Sequence, residues 1–306
     1  MVQRGRNDMS DLVVIDVGGT SIKHGVLHDD QLVSQGSVPT PKDLAGYYAA
    51  LTAIVQQAKA DYAPVGVGIS SPGAVNKKTG VIEGASAIPY IHNFPIIPEL
   101  EKHFGLPVSM ENDANCAALA ELASGAGAGT SNLLFIVIGT GIGGSVIVNH
   151  QVIHGRHLFG GEFGFMLMDS HNTLSDLGSP VHMAERYTAR KADGKTYDGQ
   201  AVFALAQRGD ALAQEEARTF YKALATAIFN LSYAFDPDKV ILGGGVSQAD
   251  WLIPTLKRYL QDILDEVKIA PWMPELALAH YRSQANLIGA AVDFRQSRPE
   301  GGQSIS

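Results

Sequence analysis

The chain has 306 residues, 45% hydrophobic and 18% charged, with a formal net charge of −8 and one cysteine. That length suits two domains, each with its own core, and the acid excess argues against nucleic acid as the main partner, since phosphate backbones need clustered Lys and Arg. No apolar run reaches about eighteen residues, so no membrane-spanning helix and no membrane partner is expected.

Residues Met1 to Asp8 are polar and basic, with no apolar stretch, and do not read as a secretory signal. They read as an extension, with Met9 as an alternative start and no room for a DNA-binding domain ahead of the first strand. The first element is the apolar strand Val13-Val14-Ile15-Asp16-Val17, which runs into Gly18-Gly19-Thr20. Ser21 to Leu27 then leave as a second strand, giving a hairpin over about 12–38. Two glycines let the backbone turn tightly and approach a phosphate, with N–H groups, the Thr20 hydroxyl and Lys23 aimed at its oxygens. Asp16, just before the turn, is placed to hold a hydrated magnesium ion. Gly-Gly in a hairpin also has a purely steric reading, and taken alone this segment leaves both open.

A helix is predicted over about 42–60, with Leu51, Ile54 and Val55 on its apolar face, then a strand Val65–Ile69 and the loop Ser70-Ser71-Pro72-Gly73. A short helix near 98–104 and a strand near 107–109 deliver the chain to Glu111-Asn112-Asp113. Asp113 stands before an alanine-rich helix over about 114–124, in a position to cap it. A carboxylate there is equally able to take a proton from a substrate hydroxyl. Cys116 lies in the apolar start of that helix and reads as a buried, inert thiol; a lone cysteine suits a reducing, cytoplasmic setting.

A second strand–turn–strand copy follows: Leu133 to Ile138, then Gly139-Thr140-Gly141-Ile142-Gly143-Gly144, then Ser145 to Val148. It suggests a duplicated architecture with two hairpins gripping one nucleotide from opposite domains. Helices are predicted near 199–208 and 211–235, with Asp236-Pro237-Asp238 as a break. A third glycine turn, Gly243-Gly244-Gly245, ends the strand Lys239–Leu242 and is expected to open a helix whose N-terminus favours phosphate. A helix over about 249–265, a strand over about 275–279 and a last helix from Gln284 to Arg295 complete the chain. The tail from Pro299 is read as disordered. None of the three turns has the spacing of a P-loop or a dinucleotide fingerprint.

Together, DVGGT, GTGIGG and LGGGV, with Glu111-Asn112-Asp113-Ala114-Asn115 between the first two, resemble the actin-like ATPase and sugar kinase superfamily, and within it the ROK family. The resemblance runs from Leu12 to about Phe294. It implies an α/β fold of two actin-like (ribonuclease H-like) domains with a nucleotide and sugar cleft between them. The first domain would be 1–112, completed by the C-terminal helix 284–298, and the second 113–283, with a tail at 299–306. It implies ATP and Mg2+ as cofactors, a small sugar as partner, a homodimer and a cytoplasmic location.

Residue by residue, the resemblance makes Asp113 the catalytic base. Asn93, Asn112, Glu162 and Gly73 fall on sugar-binding positions. Asp16, Gly18, Gly19, Thr20, Lys23, Gly139, Thr140, Gly141, Gly143, Gly244 and Gly245 fall on ATP-binding positions, with Asp16 holding magnesium through water. Asn93 alone also reads as an Asx-turn.

The chain departs from the family in one region. The usual zinc motif has a histidine where Phe165 stands, and no cysteine follows in Leu177 to Ala184. Without thiolates a structural zinc site is not expected, and His154, His157, His171 and His182 read as loop and surface residues. Ala184 aligns where a sugar-binding glutamate is usual. Replacing both polar contacts near the anomeric carbon points to the zinc-free branch that resembles β-glucoside kinases, with phosphorylation at the 6-hydroxyl. Free glucose, N-acetylmannosamine and fructose are alternative acceptors. A sugar-responsive regulator without catalysis is the alternative class.

Overall fold

The structure, a computed structural model, describes residues 10–268 and 272–298. The expectations for residues 1–8 and for the tail at 299–306 lie outside the described residues. Contacts divide the chain into two units, Met1–Ala123 with Ser283–Ser306, and Ser124–Arg282.

In the first unit the predicted hairpin is three antiparallel strands, β1 (Leu12–Val17), β2 (Ser21–His28) and β3 (Gln31–Pro39). Helix α1 (Leu44–Asp61) follows, capped by Asp43, whose side chain accepts from Gly46 N at 2.7 Å. It buries Tyr47, Leu51, Ile54, Val55 and Ala58, the one-sided spacing of a helix packed on a sheet. Strand β4 (Gly66–Ser71) pairs parallel with β1. A small antiparallel pair, β5 (Ala74–Asn76) and β6 (Val81–Glu83), follows; three-residue strands carry too short an alternation to be read in the sequence. Helix α2 (Ile96–Phe104), strand β7 (Val108–Asn112) and helix α3 (Asp113–Ser124) end the first pass. The sheet order is β3-β2-β1-β4-β7.

Every residue of β1 is buried, because both faces of the sheet are covered. Val13, Ile15 and Val17 belong to one core, with Tyr47, Leu51 and Val55 of α1. Leu12 and Val14 belong to another, with Leu287, Ala291 and Phe294 of the C-terminal helix α9 (Ala285–Ser297). Each such aliphatic burial stabilises by roughly 1.5–3 kcal/mol. The close approach of α9 explains a glycine in β4: a Cβ at Gly68 would stand 2.4 Å from the Ala290 carbonyl oxygen. By contacts, residues 113–123 of α3 group with this unit, whereas the sequence reading begins the second domain at 113.

The second unit repeats the plan. Strands β8 (Leu133–Ile138) and β9 (Ile142–Val148) form the second hairpin, extended by β10 (Gln151–Val152). β11 (Lys239–Gly243) pairs parallel with β8, and β12 (Leu276–Leu278) parallel with β11. The order β10-β9-β8-β11-β12 matches the first sheet strand for strand, in direction as well as position. This is the duplicated actin-like α/β fold.

Its helices are α4 (Leu174–Gly178), α5 (Pro180–Lys191), α6 (Gly199–Gln207), α7 (Ala211–Phe235) and α8 (Leu252–Val267). α7 is capped by Asp210, which accepts from Ala213 N at 2.9 Å, and buries Phe220, Leu224, Ile228 and Leu231 along one face. α8 buries Leu252, Leu256 and Leu260 at a four-residue interval. The third glycine turn was expected to open a helix, and it does not do so directly. Gly245–Gln248 form a short 3₁₀ turn, and α8 starts only at Leu252.

Candidate active site

In the first unit the turn between β1 and β2 carries Gly18, Gly19 and Thr20. Gly18 N–H is committed inside the turn, donating to the Ser21 carbonyl at 3.0 Å, while Thr40 Oγ1 donates to the Gly18 carbonyl at 2.6 Å. The turn is thus braced by the residue that follows β3, and Gly19 and Thr20 stand exposed at its tip. Asp16 is 9% exposed. Its Oδ1 accepts from Ser70 Oγ and from Asn286 Nδ2, each at 2.9 Å, and its Oδ2 lies 3.9 Å from Lys23 Nζ. Ser70 is the last residue but one of β4 and Asn286 lies in the first turn of α9; neither was legible as a site residue, because each meets Asp16 only through tertiary pairing.

A carboxylate fixed by two neutral donors, with the other oxygen turned toward a lysine, fits a phosphate-bound magnesium ion held through water. The exposed N–H-bearing tip beside it fits the phosphates themselves. Bound there, Mg2+ would neutralise phosphate charge.

The second cluster of the unit sits where β7 meets α3. Asn112, the last residue of β7, caps the helix: its Oδ1 accepts from Ala114 N at 2.9 Å and Asn115 N at 3.3 Å. This corrects the expectation that Asp113 is the cap. Asp113 is the first residue of α3, and its Oδ1 accepts from the adjacent Ala114 N at 2.8 Å. Relieving Asp113 of capping leaves the residue open to solvent at the helix start, with its carboxyl group set among surrounding protein. Asn112 Nδ2 donates to the Gly73 carbonyl at 3.2 Å, so the structure brings Gly73, Asn112 and Asp113 together. Burial by the surrounding protein, opposed by the Ala114 N–H and reinforced by the Asp16 charge, holds the Asp113 pKa above the ordinary aspartate value.

Asn93 is exposed with φ of 63°, the left-handed conformation that Asn tolerates. Its N–H donates to the Ile82 carbonyl at 2.9 Å, and its Nδ2 points to the Gly84 carbonyl at 3.5 Å. The preceding His92 is buried, bonded to Ser86 Oγ at 2.7 Å, and its ring bounds Gly73. Asn93 and Gly73 are therefore joined through His92, another residue the sequence did not single out.

In the second unit Gly139 N–H donates to the Gly141 carbonyl at 3.0 Å, the counterpart of the Gly18 arrangement. Thr140 is exposed, Gly143 has open space beyond its Cα, and so does Gly245. Gly244 has φ of +89°, and a Cβ there would stand 2.1 Å from the Ile138 carbonyl oxygen. The third glycine turn is thus seated on the end of β8, beside the second. Both turns border an open pocket of about 770 Å³ through Gly139, Gly245 and Val246. Phe203, Trp251 and Pro180 supply apolar wall, and Asp198, Gln200 and Gln207 polar rim. Its size and mixed lining suit a nucleoside. The α5 and α6 residues of this wall carry no motif and were not foreseen.

Glu162 is exposed and precedes the 3₁₀ turn Phe163–Phe165, where Phe165 is 70% exposed. Ala184 is corrected: it lies in α5, 3% exposed and packed in the core with Met183 and Tyr187, so it walls no site. The residue of this region that does reach the glycine turn is Ser175. Its Oγ accepts from Ile142 N at 3.0 Å and lies against Gly141 and Gly164. His182 is also on α5 rather than in a loop, with Nδ1 2.8 Å from the Ser175 carbonyl. His154, His157 and His171 are at least partly exposed and outside the helices and strands. Cys116 is buried, and burial pushes its thiol pKa well up.

The chain matches the ROK family over residues 12–297. It is 32% identical over 300 residues to a β-glucoside kinase of Klebsiella pneumoniae, covering 93% of this chain and 96% of the relative. It is 31% identical over 299 residues to a β-glucoside kinase of Listeria monocytogenes, with 93% and 97% covered. A solved ROK family protein from Streptococcus pneumoniae TIGR4, in complex with sucrose, aligns with a TM-score of 0.86 at 36% identity, over 95% of this chain and all of that one. With the duplicated sheet, the glycine turns and the Asn112–Asp113 corner inside a match of that extent, the chain belongs to the ROK family.

Proposed function

We propose that this chain, an ATP-dependent carbohydrate kinase, phosphorylates the 6-hydroxyl of a glucosyl unit carrying a β-linked substituent. Asp113 accepts the proton of the acceptor hydroxyl as its oxygen bonds to the γ-phosphorus, and the bond to the β–γ bridging oxygen breaks to release ADP. Asn112, Asn93, Gly73 and Glu162 orient the sugar. The turns at Gly18–Thr20 and Gly139–Gly143 meet the phosphates. Gly244, Gly245 and the pocket around Phe203 and Trp251 take the nucleoside. Lys23 meets the phosphates, and Asp16 would hold Mg2+ through water. Zinc has no part in this reading.

One observation carries the chemistry: with Asn112 as the helix cap, Asp113 is open to solvent at the helix start while the protein around its carboxyl group holds it above the ordinary aspartate pKa. A base with a raised pKa retains more affinity for the proton it must accept. Support for the acceptor comes from Phe165, an exposed aromatic following Glu162, and from relatives named β-glucoside kinases. The neighbour bound to sucrose accommodates a disaccharide. The test is ADP release, coupled to NADH oxidation, across cellobiose, arbutin, glucose, N-acetylmannosamine and fructose. Turnover of the β-glucosides at least equal to glucose supports the reading; turnover of free hexoses alone refutes the acceptor assignment.

A further inference from the structure

Helix α9 touches the candidate machinery at two places. Asn286, in its first turn, donates to Asp16 Oδ1 at 2.9 Å. Two turns on, on the same face, Asp293 is 2% exposed and hydrogen-bonded to Lys77 Nζ. Lys77 enters from the turn after β5 and also meets Glu111 Oε2 at 2.8 Å. Glu111, 1% exposed on β7, is fully engaged: Oε1 accepts from Asn112 N–H at 2.8 Å and from Asn115 Nδ2 at 3.0 Å. A continuous polar path therefore runs from α9 through Lys77 and Glu111 to the backbone of Asn112, one residue before Asp113. Between its two ends α9 is seated without slack, since a Cβ at Gly68 would meet the Ala290 carbonyl oxygen at 2.4 Å and one at Gly289 would meet the Cys116 carbonyl oxygen at 1.7 Å.

We propose that α9 is a strut that fixes Asp16 and Asp113 relative to one another, and that Asp293 and Lys77 are positioning residues for the phosphoryl transfer. This rests on the kinase reading for its kinetic arm. The chemistry argues for position over stability. Two buried carboxylates share one ammonium, an arrangement with surplus negative charge that hydrophobic packing would avoid. The groups facing Asp293 are Lys77, Glu111, the Ser109 hydroxyl and the Cys116 thiol. Burial first, with Glu111 adding to it and Lys77 opposing, pushes the Asp293 pKa up to about 6. Burial also disfavours the Lys77 charge, but the two carboxylates outweigh it and hold its pKa above the ordinary value. Retaining Asp293 is costly to the fold and useful only if its bond to Lys77 holds something in place.

The decisive variant is Asp293→Asn, which removes the surplus charge and leaves Lys77 paired with Glu111 alone. Its melting temperature at pH 7.5 should equal or exceed that of the parent. Its kcat should fall about tenfold, with KM for ATP and for sugar within about twofold, because binding groups remain while the base is displaced. Hydrogen exchange followed by mass spectrometry should show protection lost in peptides spanning 108–116 and kept in the sheet. Lys77→Arg, which keeps the charge and changes the donor geometry, should show the same split if Asp293→Asn does not fold. Unchanged kcat together with unchanged exchange at 108–116 in a folded variant overturns the proposal. A parent protein that turns over no sugar overturns the kinase reading alone, and the exchange arm still decides the strut.

Discussion

Asn286 Nδ2 donates to Asp16 Oδ1 at 2.9 Å across 270 residues of sequence. The first strand and the last helix thus share the carboxylate nearest the first glycine turn. Ser70 Oγ is the other donor to that oxygen among the described residues, so Asn286 helps set which way the carboxylate faces and leaves Oδ2 toward Lys23.

Asn286→Ala should therefore free the carboxylate to rotate. The lost hydrogen bond is worth about 1 kcal/mol of stability. The larger effect should be on nucleotide handling: KM for ATP up about five- to tenfold, with KM for sugar unchanged. Initial rates with each substrate varied, beside a thermal melt, check this. A lowered melting temperature with unaltered KM for ATP would make Asn286 a structural residue only.

Asp113→Asn keeps shape and helix start but cannot take the proton, so kcat should fall about a hundredfold or more with sugar and ATP binding retained. The pH dependence follows from the raised pKa of Asp113. The ionised form is the active one, so activity of the parent is lost as pH falls through a value above that of an ordinary aspartate, and regained above it. A kcat/KM profile flat down to the ordinary aspartate range would remove Asp113 as the base.

How far the sequence carries can be traced residue by residue. The hairpins were legible because Gly18-Gly19 and Gly139-Thr140-Gly141 each stand between apolar runs of strand length. α1 was legible from the spacing of Leu51, Ile54 and Val55, and the end of α7 from the Asp236-Pro237-Asp238 break. The Asp16 clamp was not, because Ser70 and Asn286 are ordinary polar residues until the β4 pairing and the α9 packing bring them in. The Lys77–Glu111–Asp293 path is hidden for the same reason. Asn112 was misread against Asp113 because both are good caps and one-residue register decides between them. Ala184 was misplaced because α4 and α5 intervene in a segment where no motif fixes the alignment.

Gly244 should tolerate no side chain. Its φ of +89° disfavours any L-residue, and a Cβ would stand 2.1 Å from the Ile138 carbonyl oxygen. Gly244→Ala should cost about 2 kcal/mol or more, as the turn lifts off β8. Nucleotide affinity should fall with it, since Gly139 and Gly245 border the same pocket. Urea unfolding and ADP titration measure the two effects. A stable variant with parental ADP affinity would remove this turn from the nucleotide site.

Asp293 gives stability a sign with pH. Its folded pKa of about 6 lies above the ordinary 3.8, so the folded state holds a proton there that the unfolded chain has lost. The contribution of the protonated group is present below the unfolded value and is lost as pH rises through about 6. Asp293→Asn mimics the protonated form permanently. It should be more stable than the parent at pH 7.5, by on the order of 2 kcal/mol, with the difference closing toward pH 4. Parallel melts of the two proteins between those pH values test it; a gap that is constant, or that widens as pH falls, contradicts the assignment.

The acceptor rests on Phe165. This side chain is 70% exposed on the 3₁₀ turn directly after Glu162, whereas Ala184, the other replaced position, lies in the core. An apolar wall discriminates weakly among substituents, whereas a polar group that bonds a hydroxyl rejects analogues lacking it by large factors. Phe165→His should therefore lower kcat/KM for cellobiose and arbutin about tenfold and raise that for free glucose, with KM for ATP unchanged. Being so exposed, Phe165 should accept the change with little loss of stability. The parent and the variant are compared by specificity constants on both acceptor types. An identical ratio of β-glucoside to glucose in the two proteins would place the selecting contact elsewhere. Ser175, which touches both the Gly141 turn and Gly164, would then be the residue to change next.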